Sequence, residues 1–141
     1  MASRTNHRVS LPARLGLRTG QTASVVITVT DDMTARFDEK EVHPFYSTFW
    51  LAYHAEHAAR KLLEPYLTEE IEGIGYKLSL THISPAFAGD ELTITAQLTA
   101  LRGNKIYAKI EARSVRGAVA IGTQVQAVLS KVRLASLHEN R

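Results

Sequence analysis

The chain has 141 residues, 45% of them hydrophobic and 22% charged, which is the usual composition of one soluble globular domain. It has no cysteine, which excludes disulfides, thiolate metal sites and a cysteine nucleophile, and which fits the reducing cytoplasm. The formal net charge of +3 is too small to argue for nucleic acid, and no apolar run approaches the roughly 18 residues of a membrane span. We therefore expect a cytoplasmic protein that binds neither nucleic acid nor a membrane.

The N-terminal stretch is basic, because residues 1–30 contain four arginines and no acidic residue. An arginine- and serine-bearing segment without acids can be a transit peptide, although this one lacks the apolar core of a secretory signal. The alternative is a partly ordered surface arm or a short edge strand. Pro12, Gly16 and Gly20 interrupt the segment, and we assign residues 1–16 to an N-terminal arm.

The next part of the chain predicts a strand, a loop and one long helix. Ala23–Thr30 is rich in β-branched residues, which favour strands, and Asp31–Glu41 is polar enough for a loop with one helical turn. Pro44–Tyr66 is the only segment long enough and helical enough to be a central helix. Pro44 suits a first helical turn, and Pro65 should end the helix because proline disfavours helix at the residue before it.

Glu56 lies on a face of this helix that is otherwise lined by alanine. Ala52 is four residues before it, Ala55 is adjacent and Ala59 is three residues after it. Since residues three and four apart are neighbours on a helix, Glu56 is framed by alanine where a buried contact is expected. The alternative is a surface pair with Arg60, one turn further on.

The second half of the chain alternates apolar and polar residues with the period of two that is typical of strands. We predict strands over Gly75–Ile83, Asp90–Leu101, Lys105–Arg113 and Val119–Leu134, with an acidic turn at Thr68–Gly73, a loop at Ser84–Gly89, a tight turn at 102–104 and a polar tail from Ala135. Such clean alternation predicts an antiparallel sheet with one dry face.

These elements predict an α+β fold in which one long central helix is wrapped by a curled five-stranded antiparallel sheet. That is the hotdog arrangement, because only one helix is available to cover the dry face of the sheet. We place this domain at residues 17–134 and a C-terminal tail at residues 135–141.

His82 is predicted to lie on the same strand face as Tyr76, Leu78 and Leu80, which is the face directed at the helix. Glu56 and His82 are then expected in one apolar layer, where burying an unpaired charge costs several kcal/mol. A hydrogen-bonded core histidine without a catalytic role is the alternative for His82.

Thr48 lies eight residues before Glu56, about 12 Å along the helix axis and near the predicted helix start. Free N–H groups at a helix start stabilise negative charge, so a hydroxyl beside them suits a developing oxyanion. The alternative is that Thr48 or Ser47 simply caps the helix. His54 and His57 have a spacing that can bind a metal, but without a third ligand in a recognisable motif we expect no metal site.

These residues also carry a family resemblance. The run STFWLAYHAEHAARKLLEPYL, followed by GYKLSLTH, resembles the fluoroacetyl-CoA thioesterase-like hotdog family. In that family a helix-borne Thr, a Glu eight residues later and a strand-borne His form the active site, and Thr48, Glu56 and His82 match those positions. Pro65-Tyr66-Leu67 and Gly75 match two further marks, and a weaker similarity extends from about residue 17 to 134.

The resemblance implies an acyl-CoA thioesterase that hydrolyses a small acyl-CoA to the free acid and CoA, with no cofactor because CoA is part of the substrate. It implies that His82 is the general base, that Glu56 orients the imidazole or polarises a water, and that Thr48 is the nucleophile or positions that water. The Gly75 backbone and the helix start would hold the thioester oxygen. A homodimer or higher oligomer, with sites near the subunit interface, is also implied.

Two departures limit what the resemblance implies. Glu41–Tyr46 differs from the fluoroacetate enzyme, and Gln126 stands roughly where that enzyme has an Arg, so we expect thioester chemistry but not the fluorinated substrate. One alternative is a non-catalytic acyl-CoA-binding protein that keeps the fold without turnover. A hotdog acyl-CoA hydratase is the other, but its Asp-x4-His element is not found at a suitable place.

Overall fold

In a computed structural model, which describes residues 10–140, a curled five-stranded antiparallel sheet wraps one long helix. The helices are α1 (Leu11–Arg14), α2 (Thr48–Leu63) and α3 (Lys131–Glu139). The strands are β1 (Thr22–Thr28), β2 (Thr34–Phe37), β3 (Lys40–Tyr46), β4 (Ile71–His82), β5 (Glu91–Arg102), β6 (Lys105–Ser114) and β7 (Gly117–Ser130). The large sheet has the order β1-β5-β6-β7-β4, and β2 pairs with β3 beside it. The predicted α+β hotdog architecture is therefore confirmed.

The dry face of the sheet comes from the alternation in the late strands. The inward residues of β5 and β6 are buried almost completely: Leu92, Ile94, Ala96, Leu98, Ile106, Ala108, Ile110 and Ala112. The predicted hairpin between these strands is confirmed, and Gly103 makes its tight turn with a φ of +59°, a value that favours glycine. Burial of this face against α2 supplies the core.

The start of α2 is fixed by Ser47, not by Thr48. Ser47 has extended backbone angles and its hydroxyl accepts a hydrogen bond from the Trp50 N–H at 3.2 Å, as an N-cap does. Pro44 lies in β3 instead of the first turn of the helix, so the predicted helix start is wrong by four residues. The helix ends at Leu63, before a short 3-10 turn that contains Pro65, as predicted.

The polar stretch at residues 31–41 contains the predicted helical turn, but the rest of it is not a loop. A 3-10 turn at Asp31–Met33 is followed by β2 and the start of β3. Asp38 and Glu39 turn the chain between the two strands with φ values of 52° and 66°, in the left-handed region that is uncommon for such residues. Because this hairpin lies mostly exposed, outside the main core, it lacks the apolar alternation that reveals the other strands.

Two further predictions fail at element boundaries. The last strand ends at Ser130, which caps α3 by accepting a hydrogen bond from the Arg133 N–H, so the predicted strand end at 134 is wrong. Residues 135–139 of the predicted polar tail are helical and mostly exposed. The acidic turn predicted at 68–73 is shorter, because β4 begins at Ile71. Of the predicted N-terminal arm, residues 1–9 lie outside the described residues, and α1 occupies Leu11–Arg14.

A β-bulge interrupts β4. Gly75 is paired with Gln126 of β7 and Lys77 with Val125, so Tyr76 is the extra residue between two paired positions. Tyr76 is 66% exposed, contrary to its predicted place on the inner face with Leu78. Among the described residues, no helix is long and apolar enough to cross a membrane.

The alanine face of α2 generates a stability prediction. Ala55 is fully buried against the sheet, so Ala55→Leu should overpack this layer and cost roughly 1–3 kcal/mol of unfolding free energy. Ala135→Leu, on the exposed surface of α3, is the matched control and should leave the denaturation midpoint unchanged. Equal midpoints for Ala55→Leu and wild type in chemical denaturation would contradict the close packing of helix and sheet.

Candidate active site

Thr48 and His82 meet where α2 begins and β4 ends. The Thr48 Oγ1 lies 3.1 Å from the His82 Nδ1. Since Ser47 caps the helix, the Thr48 hydroxyl is free for this contact, and the alternative of Thr48 as a simple cap is not supported. A hydroxyl that can donate to an imidazole nitrogen is the arrangement in which a histidine activates an alcohol or a water.

The environment of His82 favours its neutral form. Burial, and to a lesser extent the charge of His43, lower the pKa of His82 below its usual range. The Tyr46 ring packs edge-on against the imidazole, with ring centres 6.1 Å apart, and the Nε2 is buried without a partner among the described residues. A neutral imidazole with Nδ1 directed at a hydroxyl can accept a proton at neutral pH.

Two clefts open on either side of Thr48. One, of about 210 Å³, contains His82 and leads towards Pro85. The other, of about 370 Å³, lies between the β2–β3 hairpin and the start of α2, where Phe37 and Trp50 line it. His43 lines both clefts.

Glu56 occupies a third cleft, together with Gly75. The Gln124 Nε2 donates a hydrogen bond to the Glu56 Oε1 at 2.7 Å. A Cβ added to Gly75 would lie 2.9 Å from the Glu56 Oε2, closer than such atoms normally approach, so a glycine fits here and a side chain would displace the carboxylate. The alternative pairing of Glu56 with Arg60 is wrong, because Arg60 binds Glu72 instead at 2.5 Å.

The structure therefore assembles the expected site residues as two pairs. Thr48 is joined to His82, and Glu56 lies against Gly75, but no hydrogen bond within one chain links Glu56 to His82. The two pairs line different clefts, as the ~12 Å of helix between Thr48 and Glu56 requires.

His54 has a buried partner. Its Nδ1 lies 2.6 Å from the Tyr46 hydroxyl, and its ring also stacks on Trp50. Burial raises the pKa of the Tyr46 phenol, while burial and the nearby His57 lower the pKa of His54. In residues 10–140 no three His, Asp or Glu side chains come together as metal ligands would.

Sequence reasoning missed His43, Tyr46 and Gln124. His43 and Tyr46 lie in β3, which was assigned partly to a loop and partly to the helix. Gln124 could have been found, because it and Gln126 are two amides at a spacing of two on an inner strand face, and such amides must find buried partners. Gln126 does so by donating to the Ala59 carbonyl at 2.9 Å.

Several solved structures are similar to this chain over most of its length. A thioesterase superfamily member from Thermus thermophilus is 34% identical over 88% of this chain and 92% of its own, with a TM-score of 0.84. A hot-dog-like protein from Thermanaerovibrio acidaminovorans is 24% identical over 93% of this chain and 96% of its own, with a TM-score of 0.84. A variant of the fluoroacetyl-CoA-specific thioesterase, in complex with fluoroacetate and CoA, is 22% identical over 83% of this chain and 98% of its own, with a TM-score of 0.77.

Comparison with protein families gives the assignment that the geometry leaves open. A search among curated proteins gave no match. The model of the fluoroacetyl-CoA-specific thioesterase family matches residues 29–132, a range that runs from the residue after β1 to the start of α3 and contains Thr48, Glu56, Gly75 and His82. Since that match covers most of the chain, the protein belongs to the fluoroacetyl-CoA-specific thioesterase family.

Proposed function

We propose that Thr48, His82, Glu56 and Gly75 form the active site with which this chain, an acyl-CoA thioesterase by its family, releases CoA from a small acyl group. The observation that carries these roles is the contact of 3.1 Å between the Thr48 hydroxyl and the His82 Nδ1 at the start of α2. The family match supports the reaction class independently of that contact.

His82 acts as the general base. Its lowered pKa keeps the imidazole neutral at neutral pH, so its Nδ1 takes the proton of the attacking oxygen. That oxygen belongs either to Thr48, giving an acyl-enzyme that water then hydrolyses, or to a water that Thr48 positions. As the carbon–sulfur bond breaks, the imidazolium returns the proton to the CoA thiolate.

When the oxygen of Thr48 or of water attacks, the carbonyl oxygen of the thioester gains negative charge. Two features of the site support a position for that carbonyl oxygen. The N–H groups of the first turn of α2 stabilise negative charge beside Thr48. The Gly75 backbone, which carries no side chain, is open to a close approach by substrate next to Glu56. Glu56 orients the imidazole or polarises the water.

A second copy of the chain would unite the two pairs of site residues. Within residues 10–140, β4 hydrogen-bonds to only one strand, β7, which leaves a twelve-residue edge. The neighbouring face of α2 exposes Phe49 (73%) and Tyr53 (57%). A two-fold axis near Leu78 would pair the two edges and bring the His82 end of one strand beside the Gly75 end of the other.

We infer from these surfaces that the protein is a homodimer whose active site takes Thr48 and His82 from one subunit and Glu56 and Gly75 from its partner. The clefts on either side of Thr48 suit a substrate that extends in two directions, with the acyl group in one and the pantetheine arm in the other. The absence of cysteine is consistent with our proposal that it works in the cytoplasm.

Thiol release from a panel of short, branched and aromatic acyl-CoAs tests the function. We expect release of CoA from at least one small acyl-CoA, and a sharp loss with His82→Ala. A protein that retains an acyl-CoA without releasing thiol would be the non-catalytic binder. Hydration of an enoyl-CoA with the thioester left intact would instead identify the hydratase.

Alanine substitutions distinguish the role of Thr48 from that of Ser47, because one should affect turnover and the other stability. Thr48→Ala should lose turnover in protein that remains folded, whereas the matched control Ser47→Ala should lose the cap, at about 0.5–2 kcal/mol of stability, and keep most of its turnover per folded molecule. Circular dichroism with thiol-release kinetics measures both. Wild-type turnover by folded Thr48→Ala would remove Thr48 from the site.

Thr48→Cys distinguishes the two routes for the attacking oxygen. A thiol is a better nucleophile than a hydroxyl, so the covalent route should give an acyl-enzyme adduct by intact-mass measurement. The water route should give no adduct.

Mixed dimers test whether the site is shared between subunits. Glu56→Gln and His82→Ala should each lower kcat/KM sharply, and the double variant should be little worse than the poorer single one, because the residues act as a unit. When the two single variants are mixed and exchange subunits at random, each hybrid dimer regains one intact site, so about a quarter of wild-type activity should return. A mixture no more active than its components would place Glu56 and His82 in the same subunit's site.

A further inference from the structure

We propose that Gln124 is the positioning residue for Glu56, holding one carboxylate oxygen so that the other is directed at Gly75. This inference rests on the proposed function, in which Glu56 acts as a carboxylate. Gln124 is only 1% exposed, and its Nε2 lies 2.7 Å from the Glu56 Oε1. In residues 10–140 it is the only group that donates a hydrogen bond to Glu56.

The position of Gln124 in the sheet makes it a rigid support. It is paired with Ala108 of β6 on one side and with Leu78 of β4 on the other, so its backbone is held by two ladders. Glu56 projects towards it from α2, which is itself packed tightly on the sheet through its alanines. A side chain anchored in this way can fix the rotamer of a carboxylate on the facing helix.

The oxygen of the same amide indicates that Gln124 serves Glu56 and not general packing. Its Oε1 is buried without a partner among the described residues, and leaving a buried acceptor unpaired is unfavourable. Turning the amide round would direct its oxygen at a carboxylate oxygen, which repels it. The arrangement therefore satisfies Glu56 at the expense of the amide oxygen.

No cation takes the place of the amide. The ionisable groups that line this cleft with Glu56 are Tyr53, His57 and Arg60 of the same helix, and Arg60 is engaged by Glu72 of β4. From β7, Gln126 lines this cleft, and its side chain is a neutral amide. A neutral donor orients the carboxylate without neutralising its charge, so the second oxygen remains available to an imidazole or a water.

Gln126 supplies a matched control two residues along the same strand. It is also buried, at 4% exposure, and donates to α2, but its partner is the Ala59 carbonyl and not Glu56. Gln124→Met and Gln126→Met each remove one buried amide donor between β7 and α2 at similar volume. Losses that come only from lost stability should be alike in the two variants.

We expect Gln124→Met to lower kcat roughly tenfold or more while KM changes little, since a hydrogen bond to a charged group is lost. Gln124→Glu places two carboxyl groups together that cannot both ionise readily, so the acid limb of its kcat/KM profile should move to higher pH by about one unit or more. Gln126→Met should leave the shape of the pH profile as in wild type. A kcat and pH profile of folded Gln124→Met and Gln124→Glu that match those of the wild-type protein would overturn the proposal.

A measurement without turnover keeps the test decisive if these variants fold poorly. In the wild-type protein the side-chain NH₂ signals of Gln124 should report the hydrogen bond by NMR, with one proton shifted downfield, and Glu56→Gln should move them more than those of Gln126. Gln124 signals that do not respond to Glu56→Gln would overturn the proposal whatever the activity. Wild-type turnover by Glu56→Gln, by contrast, would overturn the catalytic role of Glu56 and leave the hydrogen bond itself intact.

Discussion

The close approach of α2 to the sheet is the contact on which the rest of the molecule depends. Ala55, Ala58 and Ala59 are fully buried, so little side-chain bulk separates the helix from the strands beneath it. This short distance lets Gln124 of β7 reach Glu56 and brings the Glu56 carboxylate so close to Gly75 that a side chain there would displace it. Bulkier residues on this face would push the helix away and separate the carboxylate from both contacts.

Much of the fold could be predicted because its core obeys two simple periods. The late strands alternate because one face is buried and the other is wet, and α2 is long, rich in alanine and ended by proline. The β2–β3 hairpin and α3 could not be found in this way. Both lie mostly on the surface, where a polar segment is compatible with a loop, a strand or a helix.

The sequence predicted which residues would form the proposed site, but not which of them would be in contact. Thr48 was predicted from its place at the helix start and His82 from its place on the inner face of β4. In the structure the Thr48 hydroxyl contacts the His82 Nδ1. Glu56 and His82 both lie between α2 and the sheet, yet they are far apart within one chain. The alternation of buried residues predicts that a side chain is directed inward, but it does not predict where along the helix axis that side chain lies. Gln124 was missed because residues 124–128 are all buried, which hides the alternation and leaves its spacing of two from Gln126 as the remaining signal.

The bulge at Tyr76 determines which side chains of β4 can serve one site. Positions 75 and 82 differ by an odd number, so in an uninterrupted strand they would point to opposite faces of the sheet. The extra residue changes the parity, and Gly75 and His82 both face inward, towards α2. One inserted residue thus turns both of these residues of the proposed site to the same face of the sheet, and losing it would turn one of them outward without changing either residue.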